Sequence, residues 1–493
     1  MTHPREHTPA PEHGPTGNPW PALWALVLGF FMILVDSTIV SIATPALMTH
    51  FDADINSVLW VTSAYLLAYA VPLLITGRLG DRFGPKRVYL AGLCVFTLAS
   101  LWCGLTDSIA GLVAARVVQG VGASMMTPQT MSVITRTFPP HRRGSAMALW
   151  GATAGVATLI GPLMGGVLID TLGWQWIFFV NVPVGVLGFV LAWRLVPRLP
   201  THAKAIDWIG VALSAVGLFC GVFAIQEGEA FHWGTIWGPI SVPLLLAVGG
   251  ILLVTFLWWQ TRVRIDPLVP LSLFRDRNFS IANIGITTVG FTVTAMIFPF
   301  TIYAQTVRGL SPTGAALLLA PQAVMSILLA RPAGLLIDRV HPRLLAGIGL
   351  LGMSISLVLL SRLMAPGTPT LGILAVAVLM GSSSSLVWGP LSTSASRNLP
   401  PNLAGAGSGV YNTTRQIGSV LGSAAIAAFM HMRIAAHVPG AAATPHMGGA
   451  MPPEIAEAFS KALSEAILLP AGVVLIGWVA ALFFEQPRHL RRS

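Results

Sequence analysis

Long apolar runs alternate with short polar links along the chain. Fourteen runs approach the roughly 20 residues that a helix needs to cross a bilayer: 20–47, 57–77, 88–106, 109–128, 144–168, 175–197, 208–226, 236–259, 279–305, 311–336, 344–362, 369–392, 404–430 and 463–484. In hydrocarbon every backbone polar group must be bonded within the protein, so each run is expected as a helix. The pattern predicts an all-α integral membrane protein with fourteen transmembrane helices. The first run holds Asp36 and lacks a small-residue cleavage site, so it reads as a retained helix and not a signal peptide. Residues 1–19 read as a disordered cytoplasmic tail, 486–493 as a basic cytoplasmic tail, and 431–462 as an outer loop with a surface helix.

Composition sharpens this picture. Hydrophobic residues make up 54% of the 493 residues and charged residues 9%, against about 25% charged in soluble domains. The same numbers exclude disorder. A net charge of +10 would suggest nucleic acid in a soluble protein; here it belongs to loops. With the N-terminus in the cytoplasm and sides alternating, and with Arg194 and Arg362 at the run ends counted to the loops they adjoin, cytoplasmic segments hold 21 of the 28 Lys and Arg, outer loops hold four, and three lie in the membrane. That bias predicts a multi-pass protein of the inner or plasma membrane with both termini cytoplasmic. Cys94, Cys103 and Cys220 fall inside apolar spans and offer no disulfide or zinc spacing. No metal, cofactor or nucleic-acid partner is expected.

The chain also repeats itself. Gly77-Arg-Leu-Gly-Asp81-Arg82-Phe-Gly84-Pro85-Lys86-Arg87 follows the second run, and Gly334-Leu-Leu-Ile-Asp338-Arg339-Val-His341-Pro342-Arg343 follows the tenth, at a constant offset of 257. A weaker match at offset 261 pairs Gly144-Ser-Ala and Gly161 with Gly405-Ala-Gly and Gly422. Two pseudo-symmetric six-helix halves are therefore expected, at 20–200 and 263–485, with two inserted transmembrane helices at 201–262. Parallel repeats of this kind point to a secondary transporter with its site between the halves.

The Gly77–Arg87 segment resembles the loop 2–3 signature of the major facilitator superfamily. The 6 + 2 + 6 layout is similar to that of its fourteen-span drug:proton antiporter branch. Leu34-Val-Asp36-Ser-Thr38-Ile-Val-Ser-Ile-Ala-Thr-Pro45 resembles the branch's first-helix motif, and Arg116-Val-Val-Gln119-Gly120-Val-Gly122 its fourth-helix motif. Gly161-Pro162-Leu-Met-Gly165-Gly166 resembles its fifth-helix antiporter motif, and Trp174-Gln-Trp176-Ile-Phe-Phe-Val-Asn181-Val-Pro183 the start of its sixth helix. Ala157, Pro85 and His341 depart from the family pattern. The tenth run lacks the acidic residue that some members use for dicationic drugs. The resemblance implies multidrug efflux by proton antiport, with lipophilic or amphipathic drugs or antibiotics as substrates and antibiotic resistance as the outcome.

The residues can be weighed on their own terms. Asp36 is the one acid deep inside any run, Glu465 standing at the third position of the last, and a carboxylate at such depth needs a cavity, a partner or a proton. Arg116 and Asp36 lie at similar depths, about 10 and 16 Å from the outer surface, so they can meet. The expected roles are proton coupling at Asp36 with Arg116 tuning it, or a structural pair. Gly77, Arg78, Asp81, Arg82, Gly84, Lys86 and Arg87, with Asp338 and Arg339, are read as a cytoplasmic gating latch in which Asp81 meets a helix end or an Arg of the opposite half. Gly161, Pro162, Gly165 and Gly166 form a hinge and packing face. Arg415 anchors its helix or attracts an anionic ligand group.

Candidate cavity walls are Trp60, Tyr65, Tyr69, Gln119, Asn181, Phe291, Phe298, Tyr303, Gln322, Trp388, Asn412 and Arg415, a mixed aromatic and amide set that suits polyspecific ligands. No nucleotide loop, Gly-x-Ser-x-Gly or zinc-protease motif is present, so no enzyme is expected. The leading expectation is a monomeric proton-coupled exporter in the lipid bilayer. Alternatives are a proton-coupled importer, a lipid translocator or a non-transporting receptor.

Overall fold

Helices make up nearly all of the regular structure. The computed structural model describes residues 18–40, 43–53, 55–139, 142–201, 206–228, 231–263, 267–310, 312–337, 339–400, 403–437 and 453–485. In chain order the helices are α1 (Trp20–Ile39), α2 (Thr44–Phe51), α3 (Ile55–Ala70), α4 (Leu73–Phe83), α5 (Pro85–Leu105), α6 (Ile109–Thr137), α7 (Arg143–Leu172), α8 (Trp176–Phe179), α9 (Asn181–Leu195) and α10 (Trp208–Glu227). They continue with α11 (Val242–Arg262), α12 (Arg277–Ile302), α13 (Pro312–Leu318), α14 (Ala320–Ile337), α15 (Pro342–Leu363), α16 (Thr370–Ser396), α17 (Ala404–His437), α18 (Pro453–Ala466) and α19 (Leu468–Ala481). A two-stranded antiparallel hairpin, β1 (Thr235–Trp237) and β2 (Ile240–Ser241), links α10 to α11.

Local chemistry sets many of these ends. Ser108, Asp207, Ser241 and Asp276 each accept a backbone N–H of the first turn that follows them, the usual N-cap arrangement. Gly84 ends α4 and starts α5 at φ 90°, a backbone region that side chains disfavour. Pro85 then occupies the first helical position of α5, where its missing N–H costs nothing.

Among the described residues, twelve helices are long and apolar enough to cross a membrane. The number is thirteen when the bent pair Trp60–Ala70 and Leu73–Phe83, which meets at 46°, counts as one span. The expected fourteen are thus not all matched; the expected fifth span falls within α7, a 30-residue helix. Several expected continuous spans are broken. Run 20–47 stops as helix at Ile39 and restarts as α2; run 57–77 breaks before Leu73; run 311–336 breaks at Leu319; run 463–484 begins across the break at Ile467. Pro72 lies within the second of these breaks, and Pro321 and Pro470 lie two and three residues beyond the third and fourth. Proline removes a backbone donor and clashes with the preceding turn, which hydropathy does not register.

In the first half α3 and α5 pack on α6, while α1 lies against α7 and α9. In the second half α12 packs on α17 and α19, α15 on α16 and α19, and α14 on α16. The halves meet where α7 touches α14 and α16 and where α17 touches α4 and α6. The inserted pair, α10 and α11, packs on itself, and α10 also touches α3 and α17. Leu244, Val248, Ile251, Val254, Leu257 and Trp258 of α11 are exposed, an apolar face that suits lipid.

Helix approach in a bilayer depends on small residues. A side chain at Gly161 of α7 would collide with Thr38 and press on the Val35 carbonyl of α1; one at Gly165 would meet Ile39 at 2.7 Å. Overpacking a close contact typically costs about 1–3 kcal/mol. Gly161→Ala is expected to lower the thermal unfolding midpoint of the detergent-purified protein. Adding Thr38→Ala is expected to recover part of that loss; a double variant no more stable than Gly161→Ala would contradict this contact.

Candidate functional site

Four helices converge on Asp36 of α1. Arg116 of α6 donates from Nη1 to Asp36 Oδ2 at 2.5 Å and to Gln119 Oε1 at 2.7 Å. Gln119, one turn along the same helix, donates from Nε2 to Asp36 Oδ1 at 2.9 Å. Asn181, the first residue of α9, donates to the same oxygen at 2.9 Å and to Ser100 Oγ of α5 at 3.0 Å. Arg116 Nε donates to the Val61 carbonyl of α3 at 3.0 Å, and its guanidinium lies 4.0 Å from the centre of the Tyr65 ring. Cys103 Sγ points to Gln119 Oε1 at 3.6 Å. Asp36, Arg116 and Gln119 are fully buried.

Spacing explains why these side chains meet. Arg116 and Gln119 share a helix face at i and i+3. Asn181 is brought in by the turn at Gly173 (φ 98°) and the short α8. The carboxylate thus receives three donors on two oxygens, one of them cationic. Such a pair is neutral overall, which permits burial; removing one member leaves a charge out of water. Protonating Asp36 has the same electrostatic effect as removing its charge. It leaves Arg116 on the Val61 carbonyl, the Gln119 amide and the Tyr65 ring.

The structure brings together Asp36, Arg116, Gln119, Asn181 and Tyr65. Gln119 and Asn181, expected in a cavity wall, hold the carboxylate instead. Other expected wall residues lie apart from this cluster. Trp60 sits 5.4 Å from Phe223 of α10, ring to ring. Phe291 and Trp388 are packed in the core, Trp388 against Gly151 of α7. Phe298 is 47% exposed on the outside of α12, and Tyr303 bonds the Ala365 carbonyl at 2.8 Å. Gln322 is half-buried at the start of α14, its backbone against Gly381. Tyr69 and Arg415 meet elsewhere, where the two halves touch: Arg415 Nη2 donates to Tyr69 OH at 3.1 Å, and Asn412, one turn before Arg415 on α17, donates to the Ser408 carbonyl at 2.9 Å.

At the expected gating loop, Asp81 is fully buried and accepts from Arg136 Nη2 at 2.6 Å, with Arg78 Nη1 3.8 Å away. Arg136 lies on α6 of the same half, whereas the expected partner is a helix end or an Arg of the opposite half. The tie to the chain beyond the inserted helices runs through Arg78, which donates to the carbonyls of Pro267 and Leu268. Lys86 Nζ donates to the Trp193 carbonyl at 2.6 Å. Arg82 and Arg87 are exposed, as is Arg339, while Gly77 is buried. Asp338 lies outside the described residues. Gly161 and Gly165 face α1, and Gly166 faces Thr313 of α13; Pro162 falls within α7. Ser100, Cys103 and Arg136 had no signal in the sequence, because each is defined by a partner on another helix.

Residues 26–423 match the pattern described as the Major Facilitator Superfamily. The chain is 52% identical over 475 residues to the uncharacterized MFS-type transporter Rv1250 of Mycobacterium tuberculosis, covering 94% of this chain and 81% of that one. It is 33% identical over 478 residues to the tetracenomycin C resistance and export protein of Streptomyces glaucescens, covering 95% and 86%. This chain belongs to the major facilitator superfamily. The solved proton:xylose symporter XylE superposes with a TM-score of 0.63 at 14% identity over 94% of each chain, which is a likeness of fold. The chain is thus a multi-span membrane protein of a transporter superfamily whose members include an antibiotic exporter.

In this superfamily member the buried pair sets a stability test. Breaking a buried ion pair typically costs about 3–5 kcal/mol. Arg116→Gln is expected to lower the thermal midpoint in detergent strongly, and Asp36→Asn added to it is expected to restore part of the loss. Simple addition of the two single-variant losses would show that the charges do not depend on each other.

Proposed function

We propose that this chain is a proton-coupled antiporter that exports lipophilic or amphipathic compounds, antibiotics among them, by alternating access. The observation that carries the reading is the buried Asp36–Arg116 pair, with Gln119 and Asn181 completing the carboxylate's shell. A titratable carboxylate held by a cation inside a membrane domain is a proton-binding group whose occupancy alters a helix contact. Kinship with a tetracenomycin C exporter supports the class of substrate.

In this reading the functional unit is a monomer of fourteen spans in the cell membrane, two six-helix halves with α10 and α11 between them in sequence, and both termini cytoplasmic. A proton entering from outside neutralises Asp36 and releases Arg116 from it. Helix α1 is then free to shift against α7 at Gly161 and Gly165, and α7 in turn bears on α13, α14 and α16 of the second half. On the cytoplasmic side Arg78, Asp81 and Arg136 hold the closed arrangement through the Pro267–Leu268 segment. Substrate leaves outward as the halves rock.

Flux in proteoliposomes tests this, with tetracenomycin C and fluorescent lipophilic dyes as probes under an imposed pH gradient. Wild type is expected to move at least one probe against its gradient. Asp36→Asn is expected to lose uphill transport and keep downhill exchange. Undiminished uphill transport by Asp36→Asn, or no gradient-driven movement of any probe by wild type, would overturn the proposal.

A further inference from the structure

The second half carries one buried cation that the Asp36 cluster does not use. Arg415 of α17 is 7% exposed. Its Nη2 donates to the neutral Tyr69 hydroxyl, and its Nε is buried without a hydrogen-bond partner. No acidic residue forms an ion pair with it among the described residues. A guanidinium at this depth is costly unless a negative group meets it, and one hydroxyl does not balance its charge.

Its surroundings carry further unused polar atoms. Ser408, Tyr411, Asn412 and Arg415 recur at spacings of three and four, so they share one face of α17. Ser408 Oγ donates to the Pro128 carbonyl of α6 at 2.8 Å, which turns this face to the first half. Tyr411 and Asn412 are fully buried, yet Tyr411 OH and Asn412 Oδ1 lack partners among the described residues. Across from them Tyr69 OH shares a hydrogen bond of 3.0 Å with Thr127 Oγ1. Buried polar groups are normally satisfied, so a cluster of orphans around an uncompensated cation marks a place built for a polar group from outside the chain.

We propose that this seam between the halves binds the acidic group of a lipophilic organic anion. Arg415 supplies the charge, Arg415 Nε and Tyr411 OH supply donors, and Tyr69 OH is the group the anion displaces. The sign follows from the local charges: Asp36 and Arg116 cancel each other, while Arg415 has no acid paired with it among the described residues. The proposal rests on the exporter reading and names the charge class of its substrate. It also supplies a physical connection between the two sites. Tyr69 and Tyr65 lie one turn apart on α3 with ring centres 6.1 Å apart, and Tyr65 stacks on Arg116. An anion that takes Arg415 from Tyr69 therefore acts on the helix whose neighbouring ring covers the proton-site cation.

Equilibrium binding of pyrenebutyrate and of its methyl ester to the purified full-length protein, read by pyrene fluorescence with no gradient imposed, tests the site. Wild type is expected to bind the acid at least tenfold more tightly than the ester. Arg415→Gln is expected to bind both alike, and Arg415→Lys to keep a preference of a few-fold. Tyr69→Phe, which removes the competing hydroxyl, is expected to tighten acid binding several-fold, whereas a purely structural Tyr69–Arg415 contact predicts weakening. If Arg415→Gln does not fold, the sign of the Tyr69→Phe effect decides. Equal binding of acid and ester by wild type, no binding of pyrenebutyrate, or a preference that survives Arg415→Gln would overturn the proposal. Because no gradient is used, failure of proton-driven flux leaves this result readable.

Discussion

A carboxylate and a guanidinium held out of water at one depth constrain most of what surrounds them. Desolvating either charge alone costs several kcal/mol, so α1 and α6 must approach closely enough for direct contact. The carboxylate's second oxygen must also be satisfied, which draws in Gln119 from α6 and Asn181 from the start of α9. The guanidinium in turn takes the Val61 carbonyl and the Tyr65 ring from α3. Burying a neutral pair in this way costs less than burying either ion. It also makes the arrangement sensitive to one proton, since protonation cancels one charge and leaves the other.

The two halves are related in sequence but differ in electrostatics. The first half encloses a balanced pair. The second half presents Arg415 to the seam, where it donates to the Tyr69 hydroxyl and has no ion-pair partner among the described residues. Small residues determine how either site can communicate with the rest. Gly161 and Gly165 let α7 lie directly on the helix that carries Asp36, while Gly151 and Gly166 of the same helix touch Trp388 and Thr313 of the second half. Helix α7 is therefore a physical contact between the helix that carries the buried pair and the opposite half. The inserted pair meets this seam where α10 touches α3 and α17.

Hydropathy located most of the helices because a bilayer demands long apolar segments and bonded backbones wherever the chain crosses it. It was blind to the breaks near Pro72, Pro321 and Pro470, since proline in an apolar run changes backbone bonding without making the run polar. Asp36 and Arg116 stood out for the same reason the runs did: a charge within apolar sequence is expensive and needs an explanation. Their partners did not stand out. An amide such as Asn181 reads alike whether it lines a cavity or bonds a carboxylate, and Phe298 reads alike whether it faces a ligand or the outside.

The class of protein, the approximate limits of most spans, the repeat, and the two deep charges Asp36 and Arg116 were already legible in the amino-acid order. All of these follow from composition, periodicity and the cost of charge in hydrocarbon, which act along one dimension. That Asp36 takes three donors from two helices, that Asp81 pairs with Arg136 of its own half, and that Arg415 meets Tyr69 across the seam with no acid paired to it among the described residues came from the fold alone. Those facts depend on which faces of distant helices meet. Helix packing in a membrane is set by small-residue contacts and hydrogen-bond satisfaction between segments, and no single segment carries that information.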